Sequence, residues 1–244
     1  MSTYDKVGIM QPYLFPYLGY FQLIQATDKW VVFDDIQFSK KSWVNRNRIL
    51  HPEESKEWQF FTLPLSKYSL GTNINELRIN SKIKWKEQFF GKLTHYKNKA
   101  PFYNETIAFL QATLSFETES VSDFIAHCLN ETCNYLSIPY SPIIFSSMSM
   151  SKNNIYDSGD WALQISKYLG ASEYINPVAG EKIFNVNKFN DHKIKLTLLT
   201  SDLKNYSQKR KDFCSSLSII DIMMWNNLAD IKHMLSLYSL RQVK

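Results

Sequence analysis

Residues 7–49 read VGIMQPYLFPYLGYFQLIQATDKWVVFDDIQFSKKSWVNRNRI. Val7 to Met10 is a short apolar run, the pattern of a buried strand. A loop carrying Gln11, Pro12, Tyr13, Pro16, Tyr17 and Gly19 follows it. Tyr20 to Ala26 reads as a short helix, and Trp30 to Phe33 as a second buried strand. Strand, loop, helix and strand make a βαβ unit, and ligands of open α/β sheets sit beyond the carboxyl ends of such strands. Polar groups stand at both ends here: Gln11 after the first strand, Asp34 and Asp35 after the second. An exit loop dense in cations and amides comes next, with Lys40, Lys41, Trp43, Asn45, Arg46, Asn47 and Arg48. Acceptors, donors, aromatic faces and fixed positive charge are concentrated here more than anywhere else in the chain.

Composition narrows the function classes. The chain has 244 residues, 44% hydrophobic and 21% charged, as in a globular protein of one large or two small domains. No apolar run approaches the roughly 18 residues that cross a bilayer. No basic segment precedes a long apolar one near the start, so no signal peptide or membrane insertion is expected. Cys128, Cys133 and Cys214 lack CxxC spacing, which points to a reducing cytoplasm. A net charge of +5 suits an anionic substrate without requiring nucleic acid. Neither GxGxxG nor GxxxxGK[ST] occurs, and no His or second carboxylate stands at metal-ligand spacing beside Asp34 and Asp35. No cofactor and no metal are expected.

Further along, Trp58 to Leu65 is expected to be a strand after a polar surface loop at 50–60, and Ile74 to Ile79 another. Lys82 to Tyr96 carries Trp85, Phe89, Leu93 and Tyr96 at helical spacing. A helix opens after Pro101, and Ser120 is the expected N-cap of a third. Ile143 to Phe145, Glu173 to Ile175 and Ile194 to Leu198 read as strands. Asp160 to Leu169 reads as a helix stopped by Gly170. Ser218 to Asn226 and Ala229 to Tyr238 are expected to close the chain as helices.

MQPYLFPYLGYFQLI and FDDIQFSKKSWVNRNRI, with the later segments YKNKAPFY, LGASEYINPVAG, KFNDHKIKLTLL and LSIIDIMMWN, resemble the WbqC-like protein family of bacterial polysaccharide gene clusters. The resemblance spans about Val7 to Asn227. It implies a role in O-antigen or other surface-sugar biosynthesis, with an acyl group placed on an amino sugar. Tyr17-Leu-Gly-Tyr20 stands where nucleotidyltransferase-like folds carry HxGH, so a similar backbone is expected without the histidines that hold a triphosphate.

The fold class expected is α/β: a Rossmann-like (nucleotidyltransferase-like) parallel sheet in a single domain, 1–244, with 82–137 as a helical insert or cap. The expected activity is N-acyl transfer, acyl or aminoacyl, to the amine of a nucleotide-linked amino sugar. Arg46 and Arg48 would hold the diphosphate, bidentate as lysine cannot be; a solvated basic loop is the alternative. Trp43, Tyr13 or Tyr17 would stack on base or sugar, and Lys41 adds charge. Gln11 or Asn47 would position the acyl carbonyl. Asp35 or His95 would accept the ammonium proton. Asn176, in a turn with Pro177, would approach the ligand, and Tyr206, Gln208 and Arg210 would close the pocket. The donor would be CoA, a carrier protein or aminoacyl-tRNA, and a homo-oligomer is possible. Two other readings stand beside this one: a nucleotidyl- or adenylyl-transferase, and a non-catalytic sugar- or RNA-binding protein.

Overall fold

In the computed structural model, which describes residues 6–244, the βαβ unit opens the fold: β1 (Lys6–Met10), α1 (Leu18–Gln25) and β2 (Lys29–Val32). The chain then leaves the sheet through β3 (Arg46–Leu50), β4 (Trp58–Thr62), α2 (Trp85–Leu93), α3 (Tyr103–Thr113) and α4 (Val121–Leu136). It returns as β5 (Pro142–Ile144), α5 (Ser158–Tyr168), β6 (Glu173–Pro177), α6 (Val186–Asp191) and β7 (Lys195–Ser201). The remaining elements are α7 (Ile219–Trp225), α8 (Leu228–Leu235) and β8 (Tyr238–Gln242).

Six strands form one sheet in the order β5-β2-β1-β6-β7-β8, parallel except for the edge strand β8. This is a Rossmann-like α/β sheet. Central strands such as β1 and β2 are buried on both faces, which is why they read as continuous apolar runs rather than alternating ones. From β2 the chain builds outward to β5, then crosses to β6 on the far side of β1. Strand order therefore reverses between β1 and β6, and a crevice opens beyond their carboxyl ends.

Each face of the sheet has its own core. Trp30, Val32, Ile175 and Leu199 pack with α1, α4, α7 and α8. Val7, Ile9, Val31, Tyr174 and Leu196 pack with α5 and α6. Trp85, Phe89 and Phe124 belong to the first of these cores, so the helices between 85 and 136 are welded to the sheet by shared apolar contacts. No helix among the described residues is long and apolar enough to cross a membrane.

Three expectations need correction. The basic exit loop ends in a strand: β3 pairs antiparallel with β4, Arg46 opposite Thr62 and Arg48 opposite Phe60. Ile74 to Ile79 is not a strand. A 3-10 turn runs over Ile74–Glu76, held by the Asn73 N–H donating to Glu76 Oε2 at 2.7 Å, and Ile74 and Leu77 are buried together at a spacing of three. The last helix stops at Leu235, and Tyr238–Gln242 instead extends the sheet beside β7. The Ser120 cap and the Gly170 stop are present: Ser120 Oγ accepts from the Asp123 N–H at 3.2 Å, and Gly170 takes φ +67° after α5.

Candidate functional site

The loop leaving β1 is strapped into one shape. Phe15, buried, sits at φ +42°, a left-handed conformation that costs a non-glycine residue about 1 kcal/mol or more. Its carbonyl accepts from Asn47 Nδ2 at 2.9 Å and from Ser218 Oγ at 2.6 Å. Asn47 Nδ2 also donates to the Leu14 carbonyl at 3.1 Å, and the Ile219 N–H donates to the Pro16 carbonyl at 2.8 Å. Strand β3 on one side and the start of α7 on the other thus hold the turn. A cleft of about 270 Å³ opens beside it. Tyr13, Pro16 and Tyr17 line it from the loop, Trp43, Asn47 and Arg48 from the chain entering β3, and Ser216 from the segment before α7.

Alternation along β3 turns Arg46 and Arg48 to one face and Asn47 and Ile49 into the core. The partner strand meets the arginines with Phe60 and Trp58. The Arg46 guanidinium lies 4.6 Å from the Phe60 ring centroid; that of Arg48 lies 5.2 Å from Trp43 and 5.1 Å from Trp58. Arg48 Nη2 donates to the Ser216 carbonyl at 3.2 Å. Both Nε atoms are buried without a partner. Among the described residues no carboxylate comes within ion-pair reach of either arginine. Two positive charges are therefore fixed on aromatic faces with no described carboxylate to neutralise them, a surface that attracts an anion.

The loop tyrosines divide by role. Burial raises the pKa of Tyr13, with the neighbouring Tyr17 phenol adding to it, and burial raises that of Tyr17. Both stay protonated at neutral pH and can donate a hydrogen bond. The Tyr17 ring lies over the first turn of α1, where a Cβ on Gly19 would overlap it. Tyr20 is fully buried, and its hydroxyl donates to the Gln11 carbonyl at 2.9 Å, so it braces the loop. The second position of the Tyr17–Tyr20 pair is closed to ligand.

Tyr13, Tyr17, Trp43, Asn47 and Arg48 are brought together, with Arg46 on the adjoining stack. Asn47 serves as a strut, its amide engaged by Leu14 and Phe15 and its Oδ1 accepting the Arg48 N–H at 2.8 Å. Gln11 stands half-buried at the end of β1, outside the cleft lining. Lys41 is exposed. Asp35 is away from the cleft: it accepts from Asn73 Nδ2 at 2.9 Å and pairs with Lys152. Its neighbour Asp34 is buried under bonds from Ser122 Oγ and from the N–H and Oγ of Ser146, tying the end of β2 to that of β5. His95 sits on the turn after α2, ring against Tyr96, Nδ1 2.8 Å from the Lys92 carbonyl. Burial holds its pKa below the usual value, with the nearby Lys99 and Arg210 charges adding to it; the Lys92 bond opposes them. Asn176 follows Tyr174 on the opposite face of the sheet, accepting the Tyr174 hydroxyl at 2.9 Å.

Sequence reasoning missed Trp58, Phe60, Ser216 and Asp221. The first two were legible in principle, because RNRIL against WQFFT at a hairpin register sets each arginine beside an aromatic ring. Asp221 left no such signal. It is fully buried and accepts from Tyr96 Oη at 2.5 Å, Tyr206 Oη at 2.6 Å and Gln208 Nε2 at 3.0 Å. Tyr96 Oη in turn accepts the Leu50 N–H at 3.0 Å, linking this carboxylate to β3. Tyr206 and Gln208 therefore knit the wall behind the cleft rather than close it, and Arg210 donates to the carbonyls of Glu53, Lys56 and Glu57.

A model of the WbqC-like protein family matches residues 11–233. The uncharacterized protein Rv1507c of Mycobacterium tuberculosis (strain ATCC 25618 / H37Rv) is 26% identical over 225 residues, covering 89% of this chain and 92% of its own. No solved structure matches at a significant level.

Proposed function

The chain belongs to the WbqC-like protein family, and from that premise we propose that it is an enzyme of bacterial surface-polysaccharide biosynthesis that acylates the amine of a nucleotide-linked amino sugar. One observation carries the reading: Arg46 and Arg48 stand on the Trp43–Phe60–Trp58 rings, with no carboxylate among the described residues to neutralise them, beside a cleft of about 270 Å³. A diphosphate offers the paired oxygens that a guanidinium fork grips. A base or sugar ring covers Trp43 or a loop tyrosine, and the Tyr13 and Tyr17 hydroxyls donate to sugar oxygens or to the acyl carbonyl. Asp35 and His95 lie outside the cleft, so the acid–base assignment expected from sequence is not part of this reading. Aminolysis of an activated donor depends chiefly on bringing amine and carbonyl together, and the leaving group takes up the proton. The three cysteines are unpaired, in keeping with a reducing cytoplasm as the place of action.

A thermal-shift screen tests it. dTDP-, UDP- and GDP-linked amino sugars are compared with their hydroxyl counterparts, and with ATP and CTP plus magnesium. A ligand at 100 times its Kd stabilises the native state by about 2.7 kcal/mol. The expected result is a rise in Tm confined to an amino-sugar nucleotide. A rise with ATP or CTP alone would replace acyl transfer by nucleotidyl transfer.

A further inference from the structure

Behind the Tyr17–Ser216 wall of the cleft lies a second chamber, of about 60 Å³. Both residues line the two spaces, so a molecule in one touches the partition of the other. The walls are mostly apolar, with Leu203, Tyr206, Phe213, Leu217, Ile222 and Met234, and Asn205 and Ser215 add polar groups. Tyr206 presents its ring, packed edge-on against Phe213 at 5.1 Å, because its hydroxyl is held by Asp221. Among the described residues lining the chamber, Lys204 alone is charged, and it is exposed. We propose that this chamber seats the acyl group of the donor and that the donor is a thioester of a short, uncharged acid, acetyl or propionyl, rather than an aminoacyl ester.

The inference rests on the nucleotide-sugar reading of the cleft and narrows its donor. Sixty cubic ångströms is less than half of the ~150 Å³ of a cavity that takes up the six carbons of benzene, room for roughly three heavy atoms. An acetyl group fills it; a hexanoyl chain does not fit. An aminoacyl group would bring an ammonium beside a lysine and against mostly apolar walls that hold no carboxylate among the described lining residues, at the cost of desolvating an unpaired charge. Seating the methyl end inward leaves the carbonyl carbon at the Tyr17–Ser216 partition, facing the amine held in the cleft. The amine nitrogen attacks that carbon; a C–N bond forms, the C–S bond breaks, and the thiol departs with the proton lost by nitrogen.

The test uses the full chain, the amino-sugar nucleotide, and N-acetylcysteamine thioesters of acetate, propionate, hexanoate and glycine, with amide product read by mass spectrometry. One methylene in a filled pocket is worth roughly 10–200-fold in kcat/KM. Acetyl or propionyl should lead hexanoyl and glycyl by at least about tenfold. Phe213→Ala, which deepens the chamber, should bring hexanoyl to within about threefold of acetyl, a loss of most of that discrimination. Leu203→Trp should abolish acyl transfer yet keep the nucleotide-induced Tm rise, which also reports that the variant is folded. Equal rates for all donors, a glycyl preference, an unchanged profile in Phe213→Ala, or no amide from any thioester would overturn the acyl chamber. In each of those cases a persisting nucleotide-induced Tm rise leaves the reading of the cleft intact. Absence of any nucleotide shift would instead overturn the reading on which the chamber rests.

Discussion

Arg48 and Asn47 are neighbours in sequence, and the pleat of β3 gives them opposite tasks. Arg48 faces out onto Trp43 and Trp58 with its charge uncompensated. Arg48→Ala should therefore cost ligand and spare the fold. A charge-assisted hydrogen bond is worth about 1.5–3 kcal/mol, so nucleotide-sugar Kd should rise by roughly tenfold or more. Calorimetric titration reads this, and an unchanged Kd would remove Arg48 from the site. Arg48→Lys should recover only part of the affinity, because an ammonium lacks the planar fork and stacks poorly. Asn47 faces in and holds the Leu14 and Phe15 carbonyls. Asn47→Ala strips a donor from buried acceptors, and should lower the unfolding free energy by about 1–3 kcal/mol in a urea titration. Loss of affinity without loss of stability would contradict the strut. At this scale the sequence showed which residue types could meet an anion but not which side chains were already engaged. Asp35 and His95 have the right chemistry for a base, yet Lys152, remote in sequence, and the Lys92 carbonyl, one helical turn back, hold them elsewhere.

Elements were legible where one local pattern dominated. Helix α4 has its apolar positions at helical spacing and a serine at its start, and it forms where expected. Its far end falls where the expected helical segment 82–137 stops, but the backbone of that cap was not legible: Ser137 takes φ +58°, a conformation that favours glycine. Ser137→Gly should raise stability by about 0.5–1 kcal/mol by relieving that backbone, whereas Ser120→Ala at the other end should lower it by about 1 kcal/mol. Thermal melts of the two variants would move in opposite directions; a fall in Tm for Ser137→Gly would show that its side chain contributes more than its backbone costs. The β3–β4 hairpin was hidden for a different reason. NRNRI, following two lysines, is so polar that it reads as a solvated loop, and only pairing with the aromatic strand Trp58–Thr62 makes it a sheet. Cross-strand partners supply what intrinsic propensity lacks.

At the level of the whole molecule, Asp221 joins parts distant in sequence. Through Tyr96 it reaches Leu50 on β3, and through Tyr206 and Gln208 the segment between β7 and α7. Burial raises its pKa above the usual carboxylate value, against the hydrogen bonds that lower it. In the unfolded chain an aspartate releases its proton near pH 4. Between there and the raised native value the folded state binds more protons, so Asp221 weakens folding as pH climbs through that window, by up to about 1.4 kcal/mol per pH unit. Asp221→Asn does not titrate. The stability advantage of the native protein over this variant should therefore be largest near pH 4 and shrink as pH rises; a gap that widens with pH would reverse the assignment. The parallel α/β sheet was the most legible global feature, since short apolar strands alternating with helices argue βαβ units; its strand order was not read from the sequence. The cleft was half legible: 13–17 and 43–48 announce themselves, whereas Ser216 contributes through a backbone carbonyl that any residue possesses. That distribution has a consequence in time. Strand β1 finds its second neighbour only when Glu173–Pro177 has been made, and the first loop is tied down on both sides only once Ser218 and Ile219 join Asn47. During synthesis the motif that emerges early from the ribosome must wait for most of the chain before it becomes a site, so a nascent chain has no cleft for its ligand to template. Binding can reward the finished molecule, but it cannot guide its assembly.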